Sequence, residues 1–162
     1  MKHIANYIIA CSCSLLIVSC NNDENDIVPD FLDGTEYGVL LDVIVTSDKE
    51  IAIADLDDYS LDFIVEVEGD KRPVQSIAIN KVYIDAEANE SPEVPQQSLT
   101  EFPKTLSLTS ADMVEGFSGL STEDLRAGDS FNINFVITYE DGAVIDKFDS
   151  SMRTNFAVLI TE

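Results

Sequence analysis

The sequence predicts an all-β domain, an antiparallel β-sandwich with short helical turns, set behind a removable leader and a polar tether. Three observations point there. Apolar and polar side chains alternate through two long runs, around Phe63 and around Phe135, with the period of half-buried strands. An Asp-Gly dipeptide, Asp141-Gly142, separates the second run from a shorter apolar one, as a tight hairpin does. Seven or more strand-length segments fit within one domain's length, and helical periodicity never extends past a turn or two.

The leader comes first. Lys2 supplies a positive end and residues 4–18 an apolar stretch. A membrane-spanning helix needs about 20 apolar residues, so a cleaved export signal fits this shorter stretch better. The order Ile17-Val18-Ser19-Cys20, followed at once by Asn21-Asn22-Asp23-Glu24-Asn25-Asp26, resembles a bacterial lipoprotein signal. That resemblance implies cleavage before Cys20 and a lipid joined to its sulfur. An ordinary secretory peptide with an incidental Cys20 is the competing reading, and small Ser19 with the abrupt polar switch weighs against it. Ile8-Ile9-Ala10-Cys11 fits the same pattern, but cleavage there leaves too short an apolar segment, and Cys13 lacks the pattern. The expected organisation is therefore a signal peptide over 1–19, a lipidated Cys20 with an acidic tether to residue 36, and a single domain over 37–162.

Residues 21–36 carry acids, Pro29 and Gly34 with little apolar periodicity. Fully extended, they reach on the order of 50 Å. The acids directly after Cys20 resemble the surface-export signal of Bacteroidota lipoproteins, which implies the outer face of the outer membrane; a plain solvated spacer is the alternative.

Within the domain, residues 39–46 and 50–54 are predicted as short strands. Tyr59, Leu61, Phe63, Val65 and Val67 then alternate with Ser60, Asp62, Glu66 and Glu68, Ile64 alone breaking the polar row, and Gly69-Asp70 ends that strand. In the next, over 74–85, Ile77 and Ile79 share one face while Val82 and Ile84 fall in the opposite phase. This predicts a bulge near Asn80-Lys81 and turns Tyr83 outward. Weaker strands are predicted over 98–102 and 104–108, and short helical turns start near Ser110 and Ser121. Phe131, Ile133, Phe135, Ile137 and Tyr139 alternate with Ser130, Asn132, Asn134, Val136 and Thr138. After Glu140-Asp141-Gly142 the chain returns along 143–148, and 155–161 is the last strand.

The order Glu101-Phe102-Pro103, then Thr105-Leu106-Ser107-Leu108-Thr109, then 120–129 from Leu120 to Asp129, then a strand ending in Glu140-Asp141-Gly142, is similar to immunoglobulin-like domains of Bacteroidota outer-membrane lipoproteins. The resemblance covers about residues 37–162. It implies an immunoglobulin-like or fibronectin III-like sandwich and a setting beside starch-utilisation-type porin and glycan-capture pairs, as in the SusE and SusF class. Lipoproteins of that class carry further carbohydrate-binding domains, whereas this sequence ends after one, and it has no tryptophan for sugar stacking.

Composition narrows the function. Nine basic side chains stand against 31 acidic ones, a formal charge of −22, and loss of Lys2 with the leader takes it to −23. Such a field excludes nucleic acid and anionic headgroups as partners, so membrane attachment is expected through acyl chains alone. Cys11 and Cys13 leave with the leader, so the mature chain has no disulfide. His3, the sole histidine, leaves too, which removes Ser-His-Asp, Cys-His and histidine-bearing zinc chemistry; the expectation is a protein that is not an enzyme and holds no cofactor.

Asp55, Asp57, Asp58 and Asp62 are the densest acid group of the domain and candidate calcium ligands. They miss the twelve-residue calcium loop, and a solvated turn before the Tyr59 strand is the competing reading. Gly116 and Gly119 form no phosphate loop. Tyr37 and Tyr83, off the inferred inward faces, are the candidate aromatic contacts for a sugar. Two functions remain: an accessory glycan-binding surface lipoprotein of a polysaccharide-uptake system, or an adaptor contacting porin-type and glycan-capture proteins of the outer membrane.

Overall fold

The two runs of strict alternation become the strands around which the domain is built. The structure, a computed structural model, describes residues 40–68, 72–146 and 154–162, all within the unit Glu36–Glu162. Its strands are β1 (Leu40–Val45), β2 (Glu50–Ala52), β3 (Ser60–Glu68), β4 (Val74–Ile84), β5 (Val94–Leu99), β6 (Lys104–Thr109), β7 (Ser130–Tyr139), β8 (Val144–Ile145) and β9 (Asn155–Thr161). One short helix, α1 (Ser110–Val114), and 3₁₀ turns at Ile53–Asp55 and Thr122–Asp124 complete the described elements.

These strands form two sheets, in the orders β1-β3-β6 and β2-β9-β7-β4-β5, with β8 also paired to β7. This is an all-β sandwich of the immunoglobulin-like layout. Leu61, Phe63 and Val65 of β3 face Phe131, Ile133, Phe135 and Ile137 of β7, all fully buried. Phe63 joins the sheets directly: its ring meets Phe135 edge-on at 6.1 Å and Phe156 at 5.7 Å. Burying each such side chain contributes about 1.5–3 kcal/mol.

Local chemistry sets the connections. At the predicted hairpin, Gly142 N donates to Tyr139 O and Tyr139 N to Ala143 O, both at 2.9 Å, and Gly142 takes a φ of +85°. That left-handed residue closing a turn is what glycine supplies without strain. Both predicted helical turns are present. Thr109 Oγ1 accepts from Asp112 N while Asp112 Oδ2 accepts from Thr109 N, a reciprocal cap that starts α1. At the Ser121 turn, Asp124 Oδ2 accepts from Ser121 N at 2.9 Å and Ser121 Oγ at 2.6 Å, while Asp124 N donates to the main-chain oxygen of Ser121 at 3.1 Å.

Four local expectations are corrected. The sheets are not wholly antiparallel: β2 runs parallel to β9, with Glu50 opposite Leu159, because the chain leaves the first sheet after β1 and joins the second while keeping its direction. The extra residue of the expected bulge lies on β5, not β4, since Ile79 faces Gln97 and Asn80 faces Pro95. Against β7 the register runs unbroken from Ile77 to Ile84, so Tyr83 lies opposite buried Phe131 and does not point outward. The strand expected over 98–102 is instead Val94–Leu99. Of the return strand expected over 143–148, Val144–Ile145 is observed, and residues 147–150 lie outside the described ones.

The unbroken register also turns Lys81 inward, where its exposure is 0 %. Its ammonium donates to the main-chain oxygens of Asp112 and Glu115 at the end of α1, the latter at 3.0 Å. Burial pulls the Lys81 pKa down, and the carboxylates of Glu115 and Asp112 oppose that pull. A buried cation is held here because it satisfies carbonyls that a helix end leaves without partners.

Candidate functional site

The sheet switch between β1 and β2 creates a polar concavity on the described surface. Thr46 N and Ser47 N donate to Asp62 O at 2.9 and 3.3 Å, and Asp62 N donates to Ser47 Oγ at 2.9 Å, so the main chain of β3 pins the bend. Tyr59 Oη donates to Asp48 O at 2.6 Å from the other side. Burial raises the Tyr59 pKa, with Asp48 and Asp62 adding to the rise and the Ser47 hydrogen bond opposing it. Below them, buried Leu56 anchors the turn before β3, and Ser110 Oγ donates to Leu56 O at 2.6 Å.

The result is a cleft of about 510 Å³ whose walls carry Asp48, Glu50, Asp55, Asp58, the hydroxyl side chains of Thr46 and Ser60, and Tyr59. Carboxylates and hydroxyls in one concavity accept hydrogen bonds from polyhydroxylated ligands and attract cations. They repel phosphate or carboxylate ligands. Among the described residues there is no histidine or cysteine, so those that line the cleft supply neither imidazole nor thiol.

The four acids singled out from sequence separate here. Asp55 and Asp58 line the cleft; Asp57 does not, and Asp62 stands on β3 with its Oδ1 accepting from Ser60 Oγ at 3.0 Å. Among the described residues, no three or more His, Cys, Asp or Glu side chains form a group that could hold a metal ion. Sequence reasoning missed Asp48, Glu50 and Tyr59 as cleft residues. Their only local signal is a Thr-Ser-Asp turn between two short strands, and the wall they form needs the sheet switch to exist.

Tyr83 lies elsewhere, at the end of the sandwich formed by the connections after β4 and before β7. Its ring packs at tilted angles against Phe131 at 5.4 Å and Phe117 at 6.3 Å and, half-buried, also lines a concavity of about 320 Å³ with Asp85, Glu87, Asp124, Arg126 and Asp129. Its hydroxyl donates to Asp129 Oδ2 at 2.8 Å, and burial first, then that bond, pushes its pKa up to about 12. Buried Asp129 also accepts from Ala86 N at 2.9 Å and Arg126 N at 2.8 Å, so the group fastens two loops together. Cys20 and Tyr37 lie outside the described residues.

No protein family matches the chain, and no curated protein does. Among solved structures, it is similar to a chain from a study of host cell surface retention of a 1.5-MDa bacterial ice-binding adhesin, with 14 % identity and a TM-score of 0.37. The match covers 76 % of this chain and 32 % of that one, so this chain spans about a third of its neighbour's length.

Proposed function

We propose that the protein is a lipid-anchored, non-catalytic binding protein on the outer face of the outer membrane, an accessory glycan-binding component of a polysaccharide-uptake system. The observation that carries this is the polar cleft at the β1–β2 switch, on a domain that follows a lipoprotein-like Ile17-Val18-Ser19-Cys20 and an acidic tether. Its acceptors suit a neutral or cationic polysaccharide. With Tyr59 half-buried and no tryptophan in the chain, stacking area is small, so each contact is weak and many anchored copies supply avidity.

Calorimetry against neutral, cationic and anionic polysaccharides tests the ligand. The expected outcome is weak saturable heat with a neutral or cationic member, reduced about tenfold by Asp55→Asn with Asp58→Asn. Silence across the panel removes the glycan reading. Fatty-acid analogue labelling tests the anchor: it is expected to vanish in Cys20→Ala, and equal labelling of both forms contradicts it.

The second reading, an adaptor that contacts outer-membrane proteins, is favoured by a different observation. The three-stranded sheet leaves β1 as an edge among the described residues, and Ile44 on that strand is 40 % exposed and paired across to Ile64 on the outer face.

A further inference from the structure

Building on that adaptor reading, we propose that the seam between β1 and β9 is a docking groove for an extended segment of a partner protein, with alternating apolar side chains between a basic end and an acidic end. The seam has two strand edges without partners among the described residues. β1 pairs with β3 along one side only. β9 pairs with β7 from Asn155 to Leu159, but reaches β2 only from Leu159 to Thr161, which leaves the second edge of residues 155–158 open.

Between these edges lies a groove of about 330 Å³, with Leu41, Val43 and Val45 on the β1 wall and Phe135 and Phe156 opposite. Open main-chain edges over an apolar floor are what strand addition requires: the ladder supplies affinity, and alternate side chains fill the floor.

Two charges fix the kind of strand. Asp42 is exposed near the start of β1 and Lys49 is exposed beyond its end; both border the groove, and neither has an ion-pair partner among the described residues. Asp42 lies on the outward row of β1 with Ile44 and Lys49 lies past the end of β1, so a strand added to this edge places a Lys or Arg beside Asp42 on its own outward row and an Asp or Glu toward Lys49. A second copy of this chain is a poor occupant, since its formal charge of −22 makes copies repel.

The test titrates the full chain in detergent micelles with a labelled, end-blocked peptide of alternating Val and Thr, Lys at one end and Glu at the other, read by fluorescence anisotropy. Saturable binding is expected, with amide exchange slowed at residues 40–45 and 155–158. Asp42→Lys is expected to weaken it roughly fivefold, and a peptide whose Lys is replaced by Glu should bind that variant better than the unmodified chain. Methylating alternate peptide nitrogens removes ladder donors and should abolish binding. Equal binding of the methylated peptide, protection elsewhere, or no saturable binding overturns the proposal. Photo-crosslinking from Ile64, on the outer face of the central strand β3 and off the β1 edge, tests the adaptor reading separately. A porin-type adduct there, with the groove silent to the peptide, leaves the adaptor reading standing and removes this one.

Discussion

The β4–β7 pair and the β1–β2 stretch solve opposite problems within one sandwich. β4 and β7 run in unbroken register from Ile77–Ile137 to Ile84–Ser130, and Phe131, Ile133, Phe135, Ile137 and Tyr139 all have 0 % exposure. β1 and β2 divide their pairing instead, one joining β3 and the other joining β9 for three residues, with a bend between them pinned by the Asp62 main chain. The centre is complete in its strand pairing. The periphery is incomplete, and both the β1–β2 cleft and the β1–β9 seam arise from that incompleteness. A rigid centre is what lets an edge stay open without unfolding.

The largest contrast to break is between the buried and outer faces of the first sheet. Phe63→Ala removes the ring that joins the two sheets and is expected to cost about 3–5 kcal/mol. Ile44→Ala, one strand away on the outer face, should change stability by no more than about 0.5 kcal/mol. Urea denaturation measures both, and similar costs would mean that the two faces are not distinguished as described.

Lys81 sharpens the comparison at the centre itself. Lys81→Met keeps most of the buried stem but leaves the Asp112 and Glu115 carbonyls without their donor, at a cost of about 1–3 kcal/mol. An unchanged denaturation midpoint would show that those carbonyls find other donors.

The smallest effect is a pH dependence at the Tyr83 end. With its folded pKa raised to about 12 from the usual 10.0, Tyr83 stays protonated in the fold after an unfolded tyrosine has ionised. Its contribution is therefore fully present below pH 10 and lost as pH rises through about 12. Stability curves for the unmodified chain and Tyr83→Phe should converge over that window; parallel curves would contradict the Tyr83–Asp129 bond.

Legibility followed the same division. β3 and β7 could be read from alternation because each buries one continuous row, and the Asp-Gly hairpin and both capped turns are signalled by adjacent residues. Alternation gives the wrong phase for β4 because Lys81 looks like an outward residue, and its partners lie in and just after α1, distant in sequence. β5 was placed too late because Pro95 argues against a strand, yet β5 is an edge, where a missing donor costs little. The parallel β2–β9 pair joins segments from opposite ends of the domain, so no local pattern announces it. For the same reason Asp55 and Asp58 could be singled out as an acid group, while Asp48, Glu50 and Tyr59 could not be joined to them.

Amide chemical-shift mapping of the protein during titration with a soluble neutral or cationic polysaccharide tests most directly whether recognition belongs to the incomplete edge. The account predicts saturable shifts confined to residues 46–60, with the β4–β7 centre unmoved. Shifts centred on the Tyr83–Asp129 end or on the outer face of β4 and β7, or no shifts with any such polysaccharide, would contradict it.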